Sequence, residues 1–235
     1  MKGKSYRYLI PNCITFLSLT CGMSAILCAA TGQLLWAGAL IMASYILDNF
    51  DGSLARRLNA GSAFGLQLDS LVDMVSLGTA PALLAFMHLR AGGLDSPWVW
   101  PIVVMLPLAG AFRLARFNLL PIKKGAQDSL GLTISTGGAT ITLSVMADLV
   151  SQGRFIAPVT FLPLMVGVCL LMISTIRFPP LPWVFSSRAS SLAVLVLGTW
   201  LALNYSVVHS WFWLTGGYVT ASLARAGYQR RALDE

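Results

Sequence analysis

Long apolar runs separated by short polar segments dominate this sequence. The first run follows the basic start Met1–Tyr8 and continues to about Ala30, and the others lie at about 34–56, 62–89, 98–119, 131–150, 155–176, 189–205 and 207–224. Most reach the ~20 residues that a helix needs to cross the hydrocarbon core of a bilayer. Charged residues make up only 11% of the chain, against about 25% in soluble domains. The sequence therefore predicts an all-α fold, a polytopic membrane helix bundle with about eight transmembrane helices.

The first run also has the basic start of a signal peptide, because Lys2, Lys4 and Arg7 precede it. However, Pro11 and Asn12 interrupt its beginning, and the run is longer than the apolar region of a typical signal peptide. We therefore predict a retained first transmembrane helix.

The 16 lysine and arginine residues indicate how the bundle is oriented. With eight spans both termini lie on one side, and all of these residues except Arg90 and Arg154 fall on or near that side. Because cytoplasmic loops carry the excess of positive charge, we predict cytoplasmic termini in a membrane of the bacterial inner-membrane type. Orientation and contact with anionic membrane lipids explain the net charge of +7, so no nucleic-acid partner is expected.

Four aspartates, Asp48, Asp51, Asp69 and Asp73, lie at the junction of the second and third runs. Their spacings, i,i+3 and i,i+4, put each pair on one helix face. Carboxylates at membrane depth are costly and face a cavity, a partner or a metal. Oxygen ligands favour hard divalent ions, so the sequence predicts a Mg²⁺ or Mn²⁺ site near the cytoplasmic face. A cation transporter is the alternative from another class, although we find no internal repeat.

Small and basic residues lie at set distances from these aspartates, in the pattern D-x2-D-G-x2-A-R-x8-G-x3-D-x3-D. Gly52 and Gly65 permit close approach, either of a ligand or of another helix, and Arg56 offers two parallel donors to a phosphate. The pattern resembles the signature of the CDP-alcohol phosphotransferases, integral-membrane enzymes of phospholipid synthesis.

That resemblance implies a six-helix core, two divalent metal ions, a homodimer, and attack of an alcohol on a CDP-activated lipid. Metal ligands would be Asp48, Asp51, Asp69 and Asp73, with Asp73 also serving as the catalytic base. The residues that would bind the CDP moiety are Asn12, Thr15, Asp48, Asp51, Gly52, Ala55, Arg56, Gly65 and Asp69. Asn12 and Thr15 belong to an opening that resembles the PN-x2-T of the family, although Asn12 is an equally good helix cap.

Two further segments resemble the branch of the family that makes phosphatidylserine from CDP-diacylglycerol and L-serine. In the first, R-L-A-R-F-N, Arg113 and Arg116 are spaced i,i+3 and would bind the acceptor; snorkelling to the membrane surface is the alternative. The second segment carries Ser174 and Arg177, which are weaker site candidates.

One departure leaves the acceptor open. Where that branch usually has two prolines, this chain has Thr133 and Ser135. An acceptor such as glycerol 3-phosphate or inositol phosphate is therefore the alternative to serine. We predict a catalytic membrane domain over 1–182, and over 183–235 two additional transmembrane helices and a basic cytoplasmic tail.

Three polar residues outside these segments are expected to have no catalytic role. His88 and His209 lie near predicted span ends and are expected at the membrane interface. Asp148 also lies at a span end and is expected to be solvated.

Overall fold

A computed structural model describes residues 5–57, 62–119, 128–180, 188–204 and 206–234. These ranges contain nine α-helices, two of which are joined into one continuous helix, and one short β-ribbon, which confirms the predicted all-α class. The helices are α1 (Ser5–Ala30), α2 (Leu34–Arg57), α3 (Ala63–Asp73), α4 (Ala80–Ala91), α5 (Val99–Leu119), α6 (Ile134–Val150), α7 (Pro158–Ile173), α8 (Arg188–Asn204) and α9 (Val207–Asp234). A π-helical turn, Met74–Thr79, joins α3 and α4 into one continuous helix.

Three helical stretches are long and apolar enough to cross a membrane, namely Ile10–Ala30, Ala63–Ala91 and Val99–Leu119. Shorter apolar helices cover Ile134–Val150, Pro158–Ile173 and Val194–Asn204. The chain is thus an integral membrane protein, and the count of eight spans stays a prediction. Helix boundaries lie close to the predicted ones, except that α9 continues to Asp234, beyond the predicted end at 224.

Helix α6 occupies the centre of the bundle. Almost every residue from Ile134 to Asp148 is buried, and the helix packs against α2, α4, α9 and the π-helical turn. Small residues allow this close packing: a Cβ on Gly138 would collide with the Leu77 carbonyl of the π-helical turn. The hydroxyls of Thr140, Thr142 and Ser144 donate to carbonyls one turn earlier in α6, so a helix rich in hydroxyls can be buried without unpaired donors.

Two short strands, β1 (Ser129–Leu130) and β2 (Arg177–Phe178), pair antiparallel beyond the ends of α5 and α7. Helix α9 packs against α6 and contacts β2. Its Tyr218 hydroxyl donates to the carbonyl of Pro179 at 2.6 Å, and Arg225 lies 3.7 Å from Asp128. The C-terminal helix is therefore attached to the rest of the structure at Tyr218 and at Arg225.

The expectation that Asp148 is solvated was wrong. Its side chain is only 5% exposed and forms an ion pair with His88 at 3.1 Å. The backbone N–H groups of Phe155 and Ile156 also donate to it, each at 3.0 Å. Asp148 thus links α6 and α4 to the turn that leads into α7.

Candidate active site

Three of the four aspartates converge. Asp48 and Asp51 lie near the C-terminal end of α2, and Asp69 lies on α3, after the N-cap residue Ser62 has started that helix. One carboxylate oxygen from each aspartate lies within 4.8 Å of the others. Asp73 lies one turn after Asp69, is 8% exposed and comes within hydrogen-bonding reach of the Asp48 carboxyl.

All four aspartates line one cavity of about 250 Å³. Its other lining residues come from α2, α3, α5 and the start of α6, and they are Asn49, Leu66, Ser70, Arg113, Leu114, Phe117, Thr133 and Ser135. The cavity therefore lies where the ends of four helices meet. The π-helical turn begins directly after Asp73, and such turns are frequent at functional sites.

Hydroxyl groups from two other helices hold two of the carboxylates. The Thr15 hydroxyl of α1 donates to Oδ2 of Asp51 at 2.8 Å, and the Ser135 hydroxyl of α6 donates to Oδ2 of Asp48 at 3.2 Å. A carboxylate has two oxygens and about four acceptor positions. Both aspartates can therefore accept these bonds and still bind a cation.

The donor set fits a hard divalent cation. Grouped carboxylates repel one another when ionised, and a bound cation between them removes that cost. Asp48, Asp51 and Asp69 offer oxygen ligands only, which is what Mg²⁺ and Mn²⁺ prefer. Asp73 borders the same cavity but is not among the three converging carboxylates. The site can hold metal on the three, with Asp73 beside it.

Arg113 brings positive charge to this cavity. Its side chain is 7% exposed, its terminal nitrogen donates to the Ser129 hydroxyl at 3.0 Å, and it is close enough to Asp73 and Asp48 to interact electrostatically. Among the described residues, two buried side-chain atoms have no hydrogen-bond partner, Nε of Arg113 and Oδ1 of Asn118. Arg113 therefore places a buried guanidinium at the wall of the aspartate cavity, where its positive charge can bind an anionic group.

Arg116 has a different environment, although it lies one turn from Arg113 on α5. Its guanidinium donates to the carbonyls of Ile173, Leu130 and Ser174 at 2.9, 2.7 and 2.9 Å. It does not line the cavity. These bonds tie α5 to β1 and to the end of α7.

The predicted nucleotide-binding residues fall into three groups. Asp48, Asp51 and Asp69 line the cavity, and Thr15 holds Asp51. A Cβ built on Gly65 would lie 3.5 Å from Oδ1 of Asn12, so these two residues are neighbours. Gly52, Ala55 and Arg56 belong to α2, but their surroundings lie outside the described part of the structure.

The weaker candidates lie elsewhere. The Ser174 hydroxyl donates to the carbonyl of Leu171 at 2.8 Å, and Arg177 is exposed on β2. Neither lines the cavity.

Sequence reasoning missed several residues of the cavity wall. Asn49 and Ser70 lie on the same helices as the aspartates, and the amide of Asn118 donates to the Ser70 hydroxyl at 3.1 Å. The i,i+3 spacing of Ser70 and Asp73 could have indicated Ser70, whereas Asn49 has no such spacing from Asp48 or Asp51. Thr133 and Ser135 stood out only as departures from a pattern, and their position at the cavity depends on the long-range packing of α6 against α2.

Comparison with known proteins places the chain in a family. The chain matches the CDP-alcohol phosphatidyltransferase family over residues 8–224, which extends past residue 182, the predicted end of the catalytic domain. It is 35% identical over 180 residues to a CDP-diacylglycerol–serine O-phosphatidyltransferase of Helicobacter pylori, covering 73% of this chain and 72% of the relative. A protein of the same name from Methanocaldococcus jannaschii is 34% identical, covering 74% and 75%. An archaetidylserine synthase of Methanothermobacter thermautotrophicus is 30% identical, covering 77% and 73%.

Proposed function

This chain belongs to the CDP-alcohol phosphatidyltransferase family, and on that premise we propose that it transfers the phosphatidyl group of CDP-diacylglycerol to the hydroxyl of L-serine. The products are phosphatidylserine and CMP. The observation that carries the proposal is one cavity lined by four aspartates and by a buried arginine. The names of the relatives support serine as the acceptor.

Two divalent ions, Mg²⁺ or Mn²⁺, complete the site in this proposal. Asp48, Asp51 and Asp69 would hold them, with Asp73 sharing one. Divalent ions at such a site neutralise a pyrophosphate and stabilise the attacking and leaving oxygens of a phosphoryl displacement. The convergence of three carboxylates within 4.8 Å supports these ligands.

Asp73 is the proposed general base. The serine hydroxyl gives its proton to the Asp73 carboxylate while its oxygen forms a bond to the phosphorus of the phosphatidyl group. The bond between that phosphorus and the bridging oxygen of the pyrophosphate breaks, and CMP leaves with that oxygen and the electron pair. Asp73 is buried at the cavity wall beside Asp48, which supports an exchangeable proton on the Asp73 carboxyl group.

Arg113 is the proposed acceptor-binding residue. Its buried side chain lines the same cavity as Asp73, and a guanidinium binds a carboxylate through two parallel hydrogen bonds. Binding of the serine carboxylate by Arg113 would hold the amino acid with its hydroxyl towards Asp73. Arg116, whose donors are bound to carbonyls, would support α5 and β1 rather than touch the acceptor.

The nucleotide would lie towards α1 and α3, near Asn12, Thr15 and Gly65, with Gly52, Ala55 and Arg56 on α2 also lining it. This part of the proposal rests on the family resemblance and on the proximity of Asn12 to Gly65. A cytoplasmic active site, cytoplasmic termini, a catalytic domain over 1–182 and a homodimer are further parts of the proposal, which rest on the charge distribution and the resemblance.

The proposal is tested by CMP release from detergent-purified protein with CDP-diacylglycerol and Mn²⁺ or Mg²⁺. Serine, glycerol 3-phosphate, inositol and inositol phosphate are supplied separately, and Asp73→Asn serves as the control. We expect release only with serine and its loss in the variant. Release only with a phosphorylated acceptor would move the chain to a sister branch, and release with none of them would contradict a transferase.

A further inference from the structure

Ser135 connects the central helix to the aspartate cavity. It lies in the first turn of α6, half-buried, and its hydroxyl donates to Oδ2 of Asp48 at 3.2 Å. Both residues line the same cavity of about 250 Å³. The bond therefore joins the buried core of the bundle to one of the three converging carboxylates.

The Ser135 hydroxyl is not needed to start the helix. Thr133 is the N-cap of α6, and its side chain accepts from the Thr136 N–H at 3.2 Å. The Thr133 hydroxyl in turn donates to the Thr136 hydroxyl at 2.8 Å. Since capping is already provided, the contact of Ser135 with Asp48 calls for another explanation.

Asp48 is a carboxylate whose orientation needs support. It contributes an oxygen to the group formed with Asp51 and Asp69, and it lies beside Asp73 as well. The terminal torsion of an aspartate is broad and sets no single orientation by itself. A hydrogen bond to one oxygen limits the rotation and directs the second oxygen.

Asp51 has an equivalent support. The Thr15 hydroxyl donates to its Oδ2 at 2.8 Å from α1, just as the Ser135 hydroxyl does to Asp48 from α6. Partners of this kind, which bind the metal ligands and not the metal, orient the ligands and tune metal affinity. The two hydroxyls thus hold the two aspartates of α2 from two different helices, α1 and α6.

We propose that Ser135 is a positioning residue that orients the Asp48 carboxylate and thereby sets the affinity of the site for divalent cations. The inference rests on the proposed metal site, but it does not depend on which alcohol is the acceptor. A proline at this position, as in the pattern that the chain departs from, has no hydroxyl and cannot form the bond. The feature therefore belongs to this chain rather than to the shared signature.

The experiment measures Mn²⁺ binding directly, by the electron paramagnetic resonance signal of free Mn²⁺ titrated with full-length protein in detergent. Ser135→Ala is compared with Ser135→Thr, which keeps the hydroxyl. Ser144→Ala is the matched control, because its hydroxyl lies in the same helix and donates only within it, to the Thr140 carbonyl. Ser135→Pro is the second variant without the hydroxyl, since the first turn of a helix accepts proline.

We expect Ser135→Ala to raise the Mn²⁺ concentration for half-occupancy about tenfold, with a parallel rise in the Mn²⁺ needed for half-maximal CMP release. Ser135→Pro should do the same, whereas Ser135→Thr and Ser144→Ala should bind Mn²⁺ like the unaltered protein. At saturating Mn²⁺ the KM for serine should not change in Ser135→Ala.

Unchanged Mn²⁺ binding in Ser135→Ala and Ser135→Pro would overturn the inference. A rise in the serine KM without a change in Mn²⁺ affinity would also overturn it, and would assign the hydroxyl to the acceptor. Unaltered protein that binds Mn²⁺ and loses affinity in Ser135→Ala, but releases no CMP with any acceptor, would support the inference while contradicting the proposed function.

Discussion

The two ends of α6 both bury polar side chains, but they satisfy them in opposite ways. At the C-terminal end, Asp148 accepts two backbone hydrogen bonds and pairs with His88. The ring nitrogens of His209 share hydrogen bonds with Ser151 and Ser206 at 2.8 and 2.6 Å. At the N-terminal end, about 20 Å away at 1.5 Å per residue, aspartates of like charge converge on a cavity beside a guanidinium nitrogen without a partner.

This difference separates a structural polar cluster from a binding site. Charged and polar groups that find all their partners within the chain hold elements together, and their loss destabilises the fold. Groups of like charge brought together around a cavity do the reverse, because they cost stability until a ligand binds. The two ends should therefore respond oppositely to mutation.

The largest expected effect on catalysis comes from Asp73. Asp73→Asn keeps the shape of the side chain but cannot take the acceptor proton, so kcat should fall by about 10²–10⁴-fold. The melting temperature without metal should not fall, since one like charge has been removed. CMP release measures kcat, and thermal unfolding in detergent measures the melting temperature. A variant that loses stability along with activity would argue for a structural role of Asp73.

The largest expected effect on stability comes from Asp148, at the C-terminal end of α6. Asp148→Ala leaves His88 and two backbone N–H groups without their partner, which should cost about 3 kcal/mol. For a chain of this size that lowers the melting temperature by roughly 6–12 °C. The matched control is Asp95→Ala, an exposed acid. Below its melting temperature, Asp148→Ala should keep its kcat; loss of kcat in folded protein would contradict the division between the two ends.

The two arginines of α5 allow the same comparison within one helix. Arg113→Lys removes the bidentate donor from the cavity and should raise the serine KM about 10–100-fold, the equivalent of a charged hydrogen bond. Arg116→Lys breaks bonds to backbone carbonyls and should lower the melting temperature with little change in KM. The reverse result would move the acceptor to Arg116.

The smallest expected effect is a rise, and not a fall, in the melting temperature. With a chelator present, Asp69→Asn should raise the melting temperature by about 2–4 °C, because removing one of several close charges relieves at least about 1 kcal/mol of repulsion. Added Mn²⁺ should stabilise the unaltered protein but stabilise the variant less. Equal stabilisation of both proteins by Mn²⁺ would mean that Asp69 is not a ligand.

The sequence was sufficient for the helices and the aspartates because both depend on local patterns. Apolar runs of membrane-spanning length leave a chain few alternatives to helix. The spacings of Asp48 with Asp51 and of Asp69 with Asp73 set a shared face on each helix, and the signature indicated that the two faces meet.

The remaining features depend on contacts between distant segments. Asp148 is buried because His88 of α4 and the turn before α7 surround it, and nothing in its own neighbourhood indicates this. Ser135 reaches Asp48 only because α6 passes beside α2. Arg113 and Arg116 are equivalent in the sequence, but their environments differ because β1 and the end of α7 provide carbonyls to one of them alone.

The most direct test is the conversion of labelled L-serine into lipid by folded protein with CDP-diacylglycerol and Mn²⁺, measured side by side for the unaltered chain, Asp73→Asn and Asp148→Ala at a temperature where all three are folded. We predict labelled phosphatidylserine, with CMP in equal amount, from the unaltered chain and from Asp148→Ala. Asp73→Asn should give almost no labelled phosphatidylserine. Labelled lipid from Asp73→Asn, or none from the unaltered chain, would contradict the account.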